Sequence, residues 1–499
     1  MGVPMIVILV HGWSVTNTNT YGELAARLKT EARTQGLAVD IKNIWLSKYV
    51  SFADEVRLED LARGFEAAIR RELGKELKKG RRFACITHST GGPAIRDWWN
   101  RFHPENSTEK CPMSHLVMLA PANFGSALAQ LGKSRVSRLK SWFQGVEPGQ
   151  GVLDWLELGS PESWILNYDW IHRGTNPVEG DAPVFPFVLT GQTIDRQLYD
   201  NLNTYTGELG SDGVVRIPAA NLNATYIRLV QNAHNAPKPN ELVLDKERST
   251  TSQRTAFAII RGCSHSGNAK GILRSIKDDR KARPTVRAIL ACLKVQTAAD
   301  YVRASQRFER ENDTVRQSEL TEKQRGFFKT RYFIHDRRSM AIIRLHDHLG
   351  YTLTDFDFLL TGKGNSPDML PEGFFLDGQR NSRDRGTLTY FVNHTLMEGS
   401  GIIRHKTDNY IVRPASSPMT SLGVSITPRP GDGFVHYREA VLRASKQHLN
   451  TFLRADQTTL VDIVLRRVVG RGVYELRNST AAKPKGEDFR KQKPGSPIL

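Results

Sequence analysis

A serine lies between an apolar run and a pair of glycines in the segment RRFACITHSTGGPAIRDWW (residues 81–99). The apolar run predicts a strand, and the residues after the glycines predict a helix. A serine hydroxyl is a weak nucleophile, so it needs exposure, a neighbouring base and donors for a developing anion. A sharp turn from strand to helix provides the exposure, because it lifts the side chain above the edge of the sheet. Ser89 is therefore the candidate nucleophile, and the alternative is a Ser/Gly loop that caps an ordinary helix.

The residues around Ser89 match the pattern G-x-S-x-G only in part. Side chains two positions before and after the serine crowd the helix against the strand, so small residues are needed there. Thr87 stands at the first of these positions and Gly91 at the second, with Gly92 following. Threonine is larger than glycine but does not prohibit the turn. We interpret His88, next to the serine, as part of the packing of this turn and not as the base.

Two further segments accompany the serine. His11-Gly12-Trp13 follows the first apolar run, and LAPANFGS (residues 119–126) follows a later one. In this order and spacing, HGW, THSTGG and LAPANFGS resemble the α/β-hydrolase superfamily, specifically its serine lipases and esterases, over about residues 1–293. The resemblance implies an oxyanion hole formed by the backbone N–H groups of Trp13 and Thr90.

The superfamily has the chain order nucleophile, acid, base, so the resemblance implies that an acid and a histidine follow the serine. Asp212, in GSDGVVRIP, resembles the acid of several lipases. A Ser-Asp-Gly alone is typical of a plain turn, and Asp195 and Asp200 stay as alternative acids. His265, in RGCSHSGN, follows an apolar strand at the place where the superfamily has its base, with His234 as the alternative.

The activity that the resemblance implies is hydrolysis of the carboxylic esters of lipids, as in a lipase or a phospholipase A, through an acyl-enzyme on Ser89. His265 would take the serine proton, and Asp212 would orient the imidazole. This chemistry needs no cofactor and no metal. His346 and His348 in RLHDHLG come without further ligands, so we predict no metal site. The alternatives are an esterase, thioesterase or acyltransferase acting on a non-membrane acyl substrate, and a catalytically silent binding module with the hydrolase fold.

The first part of the chain has the sequence pattern of an α/β protein. Apolar strands alternate with helix-period segments, which predicts a doubly wound, mostly parallel sheet. We therefore expect residues 1–297 to form an α/β-hydrolase catalytic domain. Within it, residues 127–184 carry four of the eight tryptophans and predict a helical cap over the site. The alternative is a packed helical excursion with no gating role.

The second part of the chain has a different sequence pattern. A charged helical linker is expected at residues 298–324. Beyond it, β-branched and aromatic runs between turn residues predict an antiparallel β-sandwich accessory domain at residues 325–477. The polar residues 478–499 predict a disordered tail. A chain of 499 residues exceeds what one core usually holds, which agrees with two domains.

The net charge of +18 indicates either an anionic partner or a well-solvated surface. Lysine and arginine are spread along the chain without a motif that reads nucleic acid, so we expect no nucleic-acid partner. We expect a lipid or acyl-ester substrate, and docking of the basic accessory domain on an anionic membrane surface. The four cysteines lack metal-site spacing, and three of them lie in apolar surroundings that predict a small buried residue and not a disulfide.

The first apolar run, residues 5–10, is too short to span a bilayer. No basic segment precedes it and no small-residue cleavage site follows it, so it does not match a signal peptide, and we expect the protein to be made in the cytoplasm. More loosely, the chain resembles bacterial lipase effectors delivered by type VI secretion. That resemblance implies export by a specialised secretion system and an immunity or delivery protein as a partner.

Overall fold

The computed structural model describes residues 3–10, 21–44, 55–130, 149–195, 207–279, 281–325, 330–445 and 450–470. The helices are α1 (Leu24–Thr34), α2 (Leu58–Lys78), α3 (Gly91–Phe102), α4 (Gln150–Leu156), α5 (Pro161–Ile171), α6 (Ile217–Ala220), α7 (Pro284–Leu293), α8 (Ala298–Glu319) and α9 (His394–Glu398). Short 3₁₀ turns occupy Lys363–Asn365 and Pro367–Met369.

The strands fall into two groups along the chain. The earlier strands are β1 (Met5–Val10), β2 (Val39–Ile44), β3 (Phe83–His88), β4 (Met113–Leu119), β5 (Phe185–Thr190), β6 (Ala224–Gln231), β7 (Leu242–Leu244), β8 (Thr250–Thr251) and β9 (Ala256–Ile259). The later strands are β10 (Thr321–Arg325), β11 (Thr330–Ile334), β12 (Arg338–Asp347), β13 (Phe356–Thr361), β14 (Phe375–Arg380), β15 (Thr387–Asn393), β16 (Ile403–Arg404), β17 (Ile411–Arg413), β18 (Ser421–Pro428), β19 (Val435–Tyr437), β20 (Ala440–Ser445), β21 (Thr458–Leu465) and β22 (Arg467–Val469).

The first sheet has six parallel strands in the order β2-β1-β3-β4-β5-β9. Helices α2 and α3 cover one face, and α1, α7 and α8 cover the other. Strands buried on both faces are apolar without alternation, which explains runs such as MIVILV and FACI. In α2, apolar residues recur every three or four positions and form its buried stripe. The predicted doubly wound sheet is confirmed.

The second sheet takes strands from both sides of the predicted boundary at residue 297. Its order is β14-β15-β12-β21-β6-β7, with β8 also on β6. Strand β21 lies between β12 and β6 and is parallel to both, whereas β15 pairs antiparallel with β12. The sheet is therefore mixed, and the boundary at residue 297 does not separate the two sheets. Propensity marks where strands occur, but it does not reveal pairing across more than 200 positions.

The second sheet lies between two apolar cores. On one face, Met340, Ile342 and Leu460 belong to the same core as Trp98 of α3. The opposite face packs against a three-stranded antiparallel sheet in the order β13-β18-β20. A β-sandwich is present, as predicted, but its larger sheet is shared with the hydrolase part of the molecule. Strand pairs β10-β11, β16-β17 and β19-β22 complete the described β structure.

The predicted linker is a helix that packs on the first sheet. Tyr301 and Phe308 of α8 are buried, and the Tyr301 hydroxyl donates a hydrogen bond to the Pro186 carbonyl of β5 at 2.5 Å. The Asn312 side chain accepts from the Ile259 backbone N–H of β9 at 2.6 Å. Helix α8 therefore covers the first sheet and is not a loose connector.

The described part of the predicted cap contains the helices α4 and α5. Trp155, Trp164 and Trp170 are buried in the core that the two sheets share. Trp142 and residues 478–499 lie outside the described residues. The two helices are packed in this core, and a gating role of the segment stays a prediction. All four cysteines are free and buried, whereas the sequence predicted this for three of them. No described helix is long and apolar enough to cross a membrane.

Candidate active site

Ser89 occupies a sharp turn between β3 and α3. Its φ is +53°, in the left-handed region, and its backbone N–H donates to the Leu119 carbonyl at 3.0 Å. Gly92 allows α3 to approach the loop after β4, because a Cβ there would lie 2.7 Å from Pro121 Cβ. A left-handed non-glycine residue costs roughly 1–2 kcal/mol, and such strain concentrates at functional sites. The strand–turn–helix geometry predicted from the sequence is present, and the serine side chain is partly exposed.

Three candidate side chains meet at the ends of the strands. The distance from Ser89 Oγ to His265 Nε2 is 3.2 Å, and His265 Nδ1 lies 2.9 Å from Asp212 Oδ2. With its proton on Nδ1, the imidazole donates to the carboxylate and accepts from the serine hydroxyl through Nε2. Asp212 and His265 are buried, with 0% and 5% of their surface exposed. This arrangement has the nucleophile–base–carboxylate geometry of a serine hydrolase.

The Asp212 carboxylate is fixed by backbone donors. Its Oδ1 accepts hydrogen bonds from the N–H groups of Val214 at 3.0 Å and Val215 at 2.8 Å. Its own carbonyl accepts from the His265 backbone N–H at 2.8 Å. Asp212 therefore positions both the ring and the main chain of the histidine. These contacts hold the carboxylate beside the imidazole, where it can stabilise the imidazolium that forms during acyl transfer.

His88 supports the histidine from the other side. Its Nε2 lies 3.3 Å from the His265 carbonyl oxygen, and the two rings are 4.8 Å apart at 42°. The contact is with the main chain of His265 and leaves the His265 ring nitrogens to Ser89 and Asp212. This placement agrees with the interpretation of His88 as packing and not as the base.

The structure places the alternative candidates elsewhere. Asp195 is buried in the loop after β5, whereas Asp200 and Trp13 lie outside the described residues. His234 is exposed after β6, where partial desolvation and then the charge of Arg438 lower the pKa of its imidazole. Thr90 directly follows Ser89 at the N-cap of α3. The oxyanion-hole roles of Trp13 and Thr90 stay predictions.

The histidines of RLHDHLG have structural partners, one in the second sheet and one in β22. His346 Nε2 lies 3.6 Å from the buried Asp462 carboxylate, and His348 Nδ1 accepts from the Arg467 backbone N–H at 3.2 Å. Within the described ranges, no group of three or more His, Cys, Asp or Glu side chains is arranged to hold a metal ion.

The sequence analysis did not identify a buried arginine in α3, the helix that follows the serine. Arg96 of α3 donates from Nη1 to Asn123 Oδ1 at 3.3 Å and to Asn167 Oδ1 at 3.0 Å. Burial lowers the pKa of its guanidinium to about 9. The network ties α3 to the LAPANFGS segment and to α5. Asn123 lies in a segment that the sequence analysis had identified, but its partners Arg96 and Asn167 are 27 and 44 positions away in the sequence.

Comparison with known proteins gives a relative that matches almost the whole chain. No protein-family model matches it, and no curated protein sequence matches it. Among solved structures, phospholipase PlaB from Legionella pneumophila is 43% identical, and the match covers 96% of this chain and 97% of that chain with a TM-score of 0.84. This chain belongs to the PlaB family. PlaB in complex with thio-NAD is 41% identical, with 97% and 98% of the two chains covered and a TM-score of 0.84.

Membership of the PlaB family confirms the fold class predicted from the sequence. The similarity extends over almost the entire chain, so it includes the second sheet as well as the hydrolase part. The second sheet therefore belongs to the architecture of this family and is not an addition peculiar to this chain.

Proposed function

We propose that this chain cleaves carboxylic ester bonds of membrane phospholipids, as a phospholipase of the A type, through an acyl-enzyme on Ser89. The observation that carries the proposal is the continuous hydrogen-bonded path from Ser89 Oγ through His265 to Asp212. The chain is a lipid ester hydrolase by family, since PlaB, which shares 43% of its residues, is a phospholipase. The position of the cleaved ester and the head group belong to the proposal.

The geometry provides each proton transfer of acyl transfer. His265 Nε2 takes the proton of Ser89 as Oγ attacks the ester carbonyl carbon, and the carbonyl oxygen becomes an oxyanion. Asp212 stabilises the imidazolium that forms. When the tetrahedral intermediate collapses, the C–O bond to the leaving alcohol breaks and the alcohol takes the proton from His265. Water then attacks the acyl-enzyme with His265 as base, which releases the fatty acid and restores Ser89.

The direct test is Ser89→Ala in the full chain. The smaller side chain fits the turn, so the variant should fold with an unchanged circular dichroism spectrum. Fatty-acid release from mixed phospholipid vesicles should fall by about 10⁴-fold or more, because the nucleophile is gone. A fluorophosphonate probe should label the wild-type chain at Ser89 and leave the variant unlabelled. Hydrolysis within a few-fold of wild type would contradict the assignment.

The partners of the serine need matched controls. Asp212→Asn and His265→Ala should each lower kcat by orders of magnitude, and neither should add to the effect of Ser89→Ala, because the three act as a unit. Asp195→Asn and His234→Ala test the alternative acid and base and should keep kcat within a few-fold of wild type. An inactive His234→Ala together with an active His265→Ala would overturn the choice of base.

The same assays separate the alternative functions. An esterase or thioesterase would hydrolyse soluble short-chain esters or thioesters and leave vesicle phospholipids intact. An acyltransferase would be labelled at Ser89 and would pass the acyl group to an added alcohol in preference to water. A silent binding module would resist labelling altogether.

We also propose that the second part of the molecule docks on anionic membranes through one end of the second sheet. Arg467 Cζ lies 5.2 Å from the ring centre of Tyr351, and β19 pairs with β22 beside it. Apolar side chains are exposed there next to arginines. We call these residues the tip patch: Leu349, Tyr351, Phe434, Val469, Arg438, Arg466 and Arg467. Exposed apolar groups beside cations suit the interface of an anionic bilayer.

Vesicle sedimentation of the full chain tests the docking surface. The isolated residues 325–477 would not serve, because β6 pairs with β21 and would be missing. Binding to phosphatidylglycerol vesicles should weaken as salt rises. A basic residue near such a surface contributes about 1 kcal/mol, so Arg438→Glu should weaken binding roughly 10- to 30-fold. Arg71→Glu, an exposed reversal on α2, is the control. Equal losses in both variants, or no binding at low salt, would contradict this surface.

A further inference from the structure

The loop that carries the proposed catalytic acid is closed on itself by its main chain. We call residues 210–217 the acid loop. The Ile217 N–H donates to the Gly210 carbonyl at 2.9 Å, and the Asp212 N–H donates to the Val215 carbonyl at 3.1 Å. Since Val215 also donates to the Asp212 carboxylate, any displacement of the end of the loop moves the carboxylate.

The end of the acid loop is anchored in the second sheet by a buried arginine. Arg216 is 1% exposed and donates to both carboxylate oxygens of Glu208, at 2.8 and 2.9 Å. Its Nη2 also donates at 2.5 Å to Asp377 of β14, which is 161 positions away in the sequence. The guanidinium carbon lies 4.2 Å above the ring of Phe391 in β15. The arginine thus links the acid loop to two strands of the second sheet.

The start of the acid loop rests on the same sheet. Gly210 has φ of +81°, and a Cβ at this position would lie 2.4 Å from Cδ of Arg338 in β12. Arg338 is itself buried and lies near the ring of Phe391. Both ends of the acid loop are therefore seated against β12, β14 and β15, and close packing leaves the loop little room to shift.

Loss of either carboxylate around Arg216 would leave part of a buried positive charge without compensation. An uncompensated buried charge is costly, so the loop would move to rehydrate the guanidinium. A displacement of about 1 Å in a catalytic group can lower the rate about 10²-fold. Substrate binding would change little, because Arg216 and Asp377 contact the acid loop and not the serine.

We propose that Arg216 is a positioning residue for the hydrolytic reaction: through its ion pair with Asp377, it holds the acid loop on the second sheet and so fixes the Asp212 carboxylate against His265. The proposal rests on the proposed role of Asp212. It makes the C-terminal part of the chain a structural component of the active site, in addition to any role in docking.

The test is Asp377→Asn in the full chain, assayed with a soluble short-chain ester so that membrane docking does not enter. The kcat should fall about 10²-fold with KM within a few-fold of wild type. Asp377→Glu keeps the charge and should restore most of kcat. Asp347→Asn is the control, because Asp347 is a more deeply buried carboxylate at the other end of β12 that accepts from Tyr437 at 3.0 Å. It should lower the melting temperature and leave kcat within about twofold.

Each outcome decides the proposal. If Asp377→Asn keeps kcat within twofold of wild type while Asp212→Asn is inactive, Arg216 does not position the acid, and the proposed function stands. If Asp212→Asn is itself active, the proposed function fails first. If Asp377→Asn does not fold, Arg216→Lys replaces it, because lysine keeps the charge and loses the two-pronged geometry. A tenfold or larger loss of kcat in that variant supports the proposal, and an unchanged kcat overturns it.

Discussion

Replacing Gly92 by alanine tests whether close packing behind the nucleophile shapes the active site. The added Cβ would lie 2.7 Å from Pro121 Cβ, whereas carbon atoms in contact are normally 3.5–4.0 Å apart. Helix α3 and the loop after β4 would have to separate by about 1 Å. Overpacking of this kind costs roughly 1–3 kcal/mol. The helix preference of alanine offsets up to about 1 kcal/mol, so we expect a net destabilisation of about 1–2 kcal/mol.

The same separation should disturb catalysis. The Ala122 N–H, next to Pro121, donates to the Ser89 carbonyl at 3.4 Å, so moving the loop moves the main chain of the nucleophile. A shift of about 1 Å predicts a loss of kcat of about 10²-fold. Denaturant unfolding gives the stability, and the rate of fluorophosphonate labelling reports the reactivity of Ser89 without a membrane substrate.

The chain provides a matched control for this substitution. Gly64 also lies in a helix, and nothing comes within 4 Å of the position that its Cβ would take. Gly64→Ala should therefore stabilise the protein by roughly 0.5–1 kcal/mol, through lower backbone entropy in the unfolded chain. The two substitutions should have opposite signs. If Gly92→Ala is as stable as Gly64→Ala and is labelled at the wild-type rate, the packing argument is refuted.

Three further predictions concern stability. Burial lowers the pKa of His115 to about 4. The free energy of unfolding should therefore fall by up to about 3 kcal/mol as the pH drops from about 6.5 towards 4. His115→Gln should flatten this pH dependence, which urea unfolding at several pH values measures. Burial raises the pKa of Asp462, but hydrogen bonds from its neighbours outweigh this effect and hold the pKa at about 2. Asp462→Asn should lower the free energy of unfolding by about 2–4 kcal/mol at pH 7, because Arg344 loses its buried partner. Denaturant unfolding measures this change. Ending the chain at residue 324 removes β12 and β21, so we expect an insoluble fragment; a soluble fragment that a fluorophosphonate labels would contradict the shared sheet.

The sequence by itself predicted the features that depend on neighbouring residues. The turn at Ser89 was recognisable because a strand, a small-residue hinge and a helix follow one another within twenty positions. The order of serine, acid and histidine, taken from the family resemblance, nominated Asp212 and His265, and the structure brings both to Ser89. Strands buried on both faces leave continuous apolar runs, so the first sheet was also predictable.

Only the tertiary structure decided which distant groups meet. Among the described acids, it brings Asp212 to the histidine ring, a choice that chain order alone left open. It places β6 beside β21 and Arg216 beside Asp377, although neither pair shares a local motif. Pairing of this kind depends on backbone hydrogen bonds, which every residue can make, and on the fit of surfaces that exist only after folding. The second sheet crosses the predicted boundary at residue 297 for that reason: turn residues and propensities locate strands, while the shape of the shared core decides which strands become neighbours.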